Sequence, residues 1–190
     1  VEATIAEIQG TGAESPLEGD PVITEGVVTA AYATGGFNGF YIQTGGEDTT
    51  PGASDGVFVY EPGFPATIEV GDSVEVEGEV VEFGSAPNTL TEIDATKVTE
   101  LETALPAVVP NTELPGTDCA LPGTDCADAA ELDALREEFE GEAFLPTAPM
   151  TVTDAYDFGV TSSSFFGEIG IAANSTIPLV TPTEVIDAQD

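Results

Sequence analysis

Three aromatic residues in two neighbouring predicted strands are the side chains best suited to bind a ligand: Tyr41, Phe58 and Tyr60. Alternate residues of a strand point to the same face of a sheet, so Phe58 and Tyr60 share a face that Tyr41 can join. Bases and sugars stack on aromatic faces of this kind. The alternative is that the three rings pack within the protein, because aromatic side chains dominate cores. Period-two patterning does not decide between these two interpretations.

A second candidate site is a row of carboxylates at alternate positions of one predicted strand: Glu75, Glu77 and Glu79. A rise of about 3.3 Å per residue separates neighbouring members by roughly 7 Å along the strand. Such a row could bind Ca²⁺ together with loop oxygens. The alternative is an ordinary solvated face, because calcium takes six to eight converging oxygen ligands. The acidic loop at residues 45–55 lacks the ligand order of an EF-hand.

The two cysteines of the chain, Cys119 and Cys126, lie in a tandem repeat of Leu-Pro-Gly-Thr-Asp-Cys-Ala at residues 114–120 and 121–127. Their short separation between Pro-Gly turns predicts one local disulfide. A pair of free, buried thiols is the alternative. The neighbouring aspartates do not favour a reactive thiolate, so a structural role is expected.

Catalysis has little support in the composition. The chain has no histidine, and Lys97 and Arg136 are its only basic side chains. Most hydrolytic and phosphoryl-transfer sites need residues of those types, so we predict a protein that is not an enzyme and requires no cofactor. A glycosidase built on two carboxylates is formally compatible with the sequence, although nothing distinguishes a particular pair among 36 acidic residues.

The formal net charge of −34 restricts the classes of partner. A surface without clustered cations gains no counterion release from phosphates, so direct binding to nucleic acid or to an anionic membrane is disfavoured. Cations, neutral polymers, other proteins and further copies of this chain remain as partners. The alternative is that the acids only maintain solubility outside the cell or in high salt. No apolar run approaches the roughly 20 residues of a membrane span. The start at Val1 fits a mature protein after signal removal or a piece excised from a longer chain.

Five strands separated by turn residues are predicted to position these side chains, at residues 22–32, 40–44, 55–60, 73–83 and 89–101. Val74, Val76 and Val80 alternate with the glutamates of the fourth strand, which predicts one buried and one solvated face. Residues 1–21, with Ile5 and Ile8, are interpreted as a short strand and a turn. The capping-box-like start at Asp128 predicts a helix at 128–140. A hairpin is predicted at 151–158 and 164–171, with a final extended piece at 177–185.

An ordered series of short motifs resembles the OB-like accessory domain of secreted nucleases of the endonuclease/exonuclease/phosphatase superfamily. Residues 4–12 are similar to its entry motif, and residues 139–153 to the segment that closes it. Its five barrel strands are matched by residues 26–30, 36–43, 54–60, 70–78 and 90–93. The nuclease catalytic domain, with its metal-binding acids and histidines, has no counterpart in the sequence. The resemblance therefore implies the fold more strongly than it implies nucleic-acid binding.

These observations predict a mostly β chain. An OB-like five-stranded barrel at 1–101 is followed by a Pro/Gly-rich connection with the local disulfide at 102–127. One short helix and an additional C-terminal hairpin at 128–190 are expected to complete the same domain. The expected function is that of a secreted or cell-surface module that contacts other copies of itself or a cell-surface component, assisted by Ca²⁺. The alternative is the substrate-binding accessory domain of an extracellular nuclease, and a hydrolase is the most distant hypothesis.

Overall fold

The computed structural model describes residues 1–32, 37–47, 49–63, 68–85, 88–112, 137–147, 149–154 and 170–173. The chain divides into two compact units. The first unit consists of Val1–Asn111 with Asp128–Phe144, and the second of Thr112–Ala127 with Leu145–Asp190.

The first unit is an OB-like barrel of five strands. They are β1 (Pro21–Tyr32), β2 (Gly39–Gln43), β3 (Gly56–Tyr60), β4 (Ser73–Ser85) and β5 (Asn88–Glu100). The strand order β1-β2-β3-β5-β4 closes on itself through the β1–β4 pair. All neighbours are antiparallel except β3 and β5. The predicted fold class is therefore confirmed, and each predicted strand agrees with the observed one to within about two residues.

On β4, the valines face the core and the glutamates face outward, as the sequence predicts. Val74, Val76 and Val80 are fully buried, and they pack with apolar residues of the other four strands in one core. Gly78 also points inward, where a Cβ would lie 2.5 Å from the Asp94 carbonyl oxygen. The β4–β5 register shifts between Glu77 and Gly78. The strand can therefore bend at this position and bring β5 close to its backbone.

The opening segment departs from the prediction. Ile5 and Ile8, interpreted above as part of a short strand, lie on a helix, α1 (Ile5–Gln9). The reason is local: Thr4 and Glu7 form a capping box, in which each side chain binds the backbone N–H of the other residue. The spacing of three places both isoleucines on one helix face. That face is buried in the barrel core, where each isoleucine contributes about 1.5–3 kcal/mol.

In the second unit, β6 (Met150–Asp154) pairs antiparallel with β7 (Gly170–Ala173). This pair is consistent with the additional C-terminal hairpin predicted at 151–158 and 164–171, of which residues 155–169 lie outside the described residues. Its register shifts between Val152 and Asp154. The predicted helix at 128–140 lies mainly outside the described residues, as does the predicted extended piece at 177–185. No helix among the described residues has the length and apolar character needed to cross a membrane.

Candidate binding face

The register of the barrel places the three predicted aromatic residues on its outer surface. Phe40 and Ile42 of β2 and Val57 and Val59 of β3 point into the core, so the intervening residues point outward. Tyr41 is directly opposite Phe58, and Tyr60 is opposite Gly39. The expectation that Tyr41, Phe58 and Tyr60 share one face therefore agrees with the geometry.

Two further aromatic residues extend this surface. Tyr32, at the end of β1, has its ring centroid 6.4 Å from that of Tyr41 and 5.3 Å from that of Phe37. The Tyr41 and Phe58 centroids are 4.9 Å apart. Tyr32 and Phe37 were not predicted as site residues. Tyr32 ends β1, and Phe37 lies in the connection between β1 and β2. This position was the available signal, because that loop borders the ligand-binding face of OB folds. We call Tyr32, Phe37, Tyr41, Phe58 and Tyr60 the aromatic face.

Phe58 forms the floor of the aromatic face. A Cβ at Gly39 would lie 2.4 Å from Cζ of Phe58, so the ring occupies the space that a side chain at position 39 would fill. Gly39 is itself flanked by Tyr32 on β1 and Tyr60 on β3. The rings therefore form a continuous surface. Exposure rises from 5% for Phe58 to 40% for Tyr32 and 52% for Phe37.

Residues 137–144, which we call the strap, cover the other end of β2 and β3. The Glu142 carboxylate accepts a hydrogen bond from the Asp55 N–H at 2.7 Å. The Ala143 N–H donates to the side chain of Gln43 at 2.8 Å. The Ser54 hydroxyl donates to the Glu140 carbonyl oxygen at 2.6 Å. These bonds join residues more than 80 positions apart and fix the strap to the barrel.

The strap reaches as far as the middle of the aromatic face. Gly141 adopts a left-handed backbone conformation with φ of 72°. A Cβ there would lie 3.2 Å from the Tyr41 ring, so the backbone passes close to that ring. Tyr41 is consequently half-buried, whereas Tyr32 and Phe37 are exposed. The alternative interpretation, internal packing, thus describes Phe58 and much of Tyr41. Tyr32 and Phe37 are open to solvent.

Carboxylates border the aromatic face. Glu92 and Asp94 on β5 lie opposite Phe58 and Tyr60. Burial, together with repulsion from Asp94, raises the pKa of Glu92. Burial raises the pKa of Glu140 to about 7, although a hydrogen bond from the Thr91 N–H opposes the shift. Burial is also the main cause that raises the pKa of Tyr41, with smaller contributions from Tyr32, Glu140 and Glu92. The face is therefore aromatic in the middle and acidic along one side.

The predicted metal-binding row lies elsewhere on the barrel. Glu77 forms an ion pair with Lys97 on β5. Glu75 lies directly opposite Glu25 of β1 and lines a groove of about 590 Å³ with Glu2 and Glu7. Glu79 is exposed and pairs with Pro21. Among the described residues no group of three or more acidic, cysteine or histidine side chains converges in a way that could hold a metal ion.

Cys119 and Cys126 lie outside the described residues, so the disulfide stays a prediction. The site of interest in the described part of the chain is the aromatic face. Its rings can stack on a planar or cationic group, and its carboxylates can accept hydrogen bonds or pair with positive charge.

Neither a family model nor a curated protein matches the sequence. Among solved structures, the chain is similar to a candidate aspartyl-tRNA synthetase from Leishmania major Friedlin, with 15% identity and a TM-score of 0.40 over 68% of this chain. This chain spans 25% of that protein. A DUF3299 family protein from Pseudomonas aeruginosa PAO1 has 18% identity and a TM-score of 0.34, with coverage of 50% of this chain and 72% of that one. At these TM-scores the likenesses support neither a shared fold nor a shared function.

Proposed function

We propose that this chain is a non-catalytic, secreted interaction module that binds another protein on the aromatic face. The exposure of Tyr32 and Phe37, at 40% and 52%, carries the proposal. Clustered aromatic side chains left exposed beside a polar rim are typical of interaction sites. The half-buried Tyr41 packs edge-on against Tyr32 and is itself held by Phe58 and the strap, so the exposed Tyr32 ring has a fixed neighbour.

The extracellular setting in this proposal rests on composition. A formal net charge of −34 favours solubility. Two cysteines in one short repeat are typical of proteins from oxidising compartments. The strap supports a binding role for the aromatic face, because it covers one end of the outer surface of β2 and β3 and leaves the other end open to a partner.

The accessory domain of a nuclease is the second candidate. It is favoured by the location of the aromatic face on strands 2 and 3, where OB folds bind oligonucleotides. Stacking contributes roughly 1–3 kcal/mol per base. The carboxylates of Glu92, Asp94 and Glu140 oppose it, because they repel phosphates. Bridging cations would be needed to offset that repulsion.

A selection from a random peptide library tests the proposal against this second candidate. The bait is the full chain, and counter-selection uses the double variant Tyr32→Ala/Phe37→Ala. Phe83→Ala is the matched control, because Phe83 is an aromatic residue with 64% exposure on β4, outside the aromatic face. We expect enriched peptides whose binding survives Phe83→Ala and is lost in the double variant.

Two outcomes would reject the proposal. One is a selection in which no peptide depends on Tyr32 and Phe37. The other is micromolar binding of a thymidine oligonucleotide by the monomer in moderate salt and chelator, which would place the nuclease-accessory role first. We expect weak or no oligonucleotide binding under those conditions, because the surface offers almost no cations to phosphate.

A further inference from the structure

We infer that the aromatic face binds an arginine-rich segment of another protein, in which guanidinium groups stack on the exposed rings of Tyr32 and Phe37 and a further guanidinium pairs with Asp94 beside Tyr60. The inference rests on the proposed function and specifies the chemistry of its partner. It depends on two features of the same outer surface, exposed rings at its β1 edge and an exposed acid, Asp94, at its β5 edge.

The register gives the geometry of this arrangement. One row across the sheet runs from Tyr32 through Gly39 and Tyr60 to Asp94, and the next runs from Tyr41 through Phe58 to Glu92. Adjacent strands are roughly 4.8 Å apart. Tyr60 is therefore one strand from Asp94, and Tyr32 is three strands, or roughly 14 Å, from it. Phe58 and Glu92 are buried, so the accessible acid of this surface is Asp94. A segment with several arginines spans the distance from the exposed rings to this acid.

Charge complementarity indicates that the partner segment is positively charged. The chain carries 36 acidic and two basic side chains, and Lys97 is paired with Glu77. Burial is the main cause that raises the pKa of Glu92, and repulsion from Asp94, its neighbour along the same edge, adds to it. An incoming cation at Asp94 would relieve that repulsion. A neutral segment would gain only the stacking.

A second copy of the chain does not meet this requirement, because it would add another −34 of charge and only two cations. Nucleic acid adds negative charge as well. Arginine fits better than lysine for two reasons. Its planar guanidinium stacks on aromatic rings, and it donates in a fork that matches a carboxylate.

Binding of synthetic peptides to the full chain tests the inference, at an ionic strength of about 0.15 M to suppress long-range attraction. The probe is a glycine/serine peptide with several arginines, and its control has citrulline at the same positions, which keeps the shape and removes the charge. We expect the arginine peptide to bind at least about tenfold more tightly. Tyr32→Ala/Phe37→Ala should remove about tenfold of that affinity, and Phe83→Ala should have no effect.

A pair of single-charge variants separates the local site from the general charge. Asp94→Asn changes an acid at the aromatic face, and Glu100→Gln changes an exposed acid at the end of β5. Only Asp94→Asn should weaken binding beyond the effect of net charge. Tyr32→Leu/Phe37→Leu keeps the apolar bulk and removes the π faces, so it also reports on the rings if the alanine variant is unstable.

The outcomes distinguish the two proposals. Equal weakening by Asp94→Asn and Glu100→Gln, or binding that is indifferent to both ring variants, would show general attraction and overturn the inference. Ring-dependent binding of the citrulline peptide with equal affinity would overturn it as well, yet it would leave the proposed function intact. If selected peptides and arginine peptides both bind independently of the rings, both proposals fail.

Discussion

Gly56 of β3 and Gly141 of the strap meet backbone to backbone. A Cβ at Gly56 would lie 2.5 Å from the carbonyl carbon of Gly141. Real side chains do not approach this closely, so one of the two backbones must move if position 56 carries a methyl group. The Gly141 backbone also passes close to the Tyr41 ring, which a Cβ at position 141 would approach to 3.2 Å. The absence of two side chains thus allows the strap to lie flat on the barrel.

Gly56→Ala should therefore loosen the strap. We expect a loss of roughly 1–3 kcal/mol in the free energy of unfolding, as for other overpacked sites. Tyrosine fluorescence should also change, since Tyr41 lies close to Gly141 and the chain has no tryptophan. Denaturant unfolding measures the loss of stability, and the tyrosine fluorescence of the folded protein reports on the strap. Gly12→Ala is the matched control, because the nearest atom would be 4.0 Å away. Equal stability of the two variants would show that the strap tolerates the displacement.

The half-buried carboxyl group of Glu140 predicts a pH dependence of stability. Its pKa is about 7 in the folded protein, against an ordinary value of 4.5. The folded state therefore holds this proton more tightly than the unfolded state does. The stabilisation is complete below the unfolded pKa and is lost as the pH rises toward 7. The free energy of unfolding should fall across this window.

Glu140→Gln isolates that contribution, because glutamine keeps an acceptor for the Thr91 N–H and carries no charge. The variant should match the natural protein at low pH and exceed its stability at and above neutral pH. Unfolding curves at several pH values measure the difference, with Glu100→Gln as the control for general charge. A difference that does not change with pH would contradict the assignment.

Two buried threonines should respond with opposite sign to the same substitution. The Thr24 hydroxyl is buried without a hydrogen-bond partner among the described residues. Thr24→Val should therefore stabilise the protein by about 1–3 kcal/mol, since it removes an unsatisfied polar group. The Thr91 hydroxyl donates to the Glu82 carboxylate at 2.8 Å. Thr91→Val should destabilise by about 1.5–3 kcal/mol. Calorimetry or denaturant unfolding would show the two signs, and a loss in both variants would mean that Thr24 is satisfied in solution.

The charge predicts that salt stabilises the fold. Self-repulsion from −34 charges opposes the compact state at low ionic strength. Screening shortens the Debye length from about 30 Å at 0.01 M to about 3 Å at 1 M. The melting temperature should therefore rise by several degrees with added potassium chloride. An unchanged melting temperature would show that the charges are too dispersed to oppose folding.

Because no three acids converge among the described residues, millimolar Ca²⁺ should raise the melting temperature no further than potassium chloride of equal ionic strength does. Glu75→Gln/Glu79→Gln should respond to Ca²⁺ as the natural protein does. The control is Glu100→Gln/Glu102→Gln, which removes the same number of charges at two exposed acids away from the row. An increment that only Glu75→Gln/Glu79→Gln removes would show a calcium site at the row.

The barrel strands were predictable because their signal is local. Period-two alternation on β4 specifies which side chains enter the core, and the turn residues between strands mark their ends. Helix α1 was missed because its five residues are too few for a helical period to stand out. The capping box of Thr4 and Glu7 was visible in the sequence, and it was the signal that would have corrected the prediction.

The sequence by itself determined the charge of the chain and three of the five rings of the candidate site. Two basic residues against 36 acidic ones disfavour a surface that attracts phosphate, whatever the fold. Only the tertiary structure decided which rings are open, because exposure depends on contacts between distant segments. Strand order placed Glu92 beside Phe58. The strap, whose hydrogen bonds to the barrel join residues more than 80 positions apart, lies against Tyr41 and leaves Tyr32 and Phe37 exposed. Local periodicity carries no information about such long-range pairing, so no pattern within a strand could have predicted it.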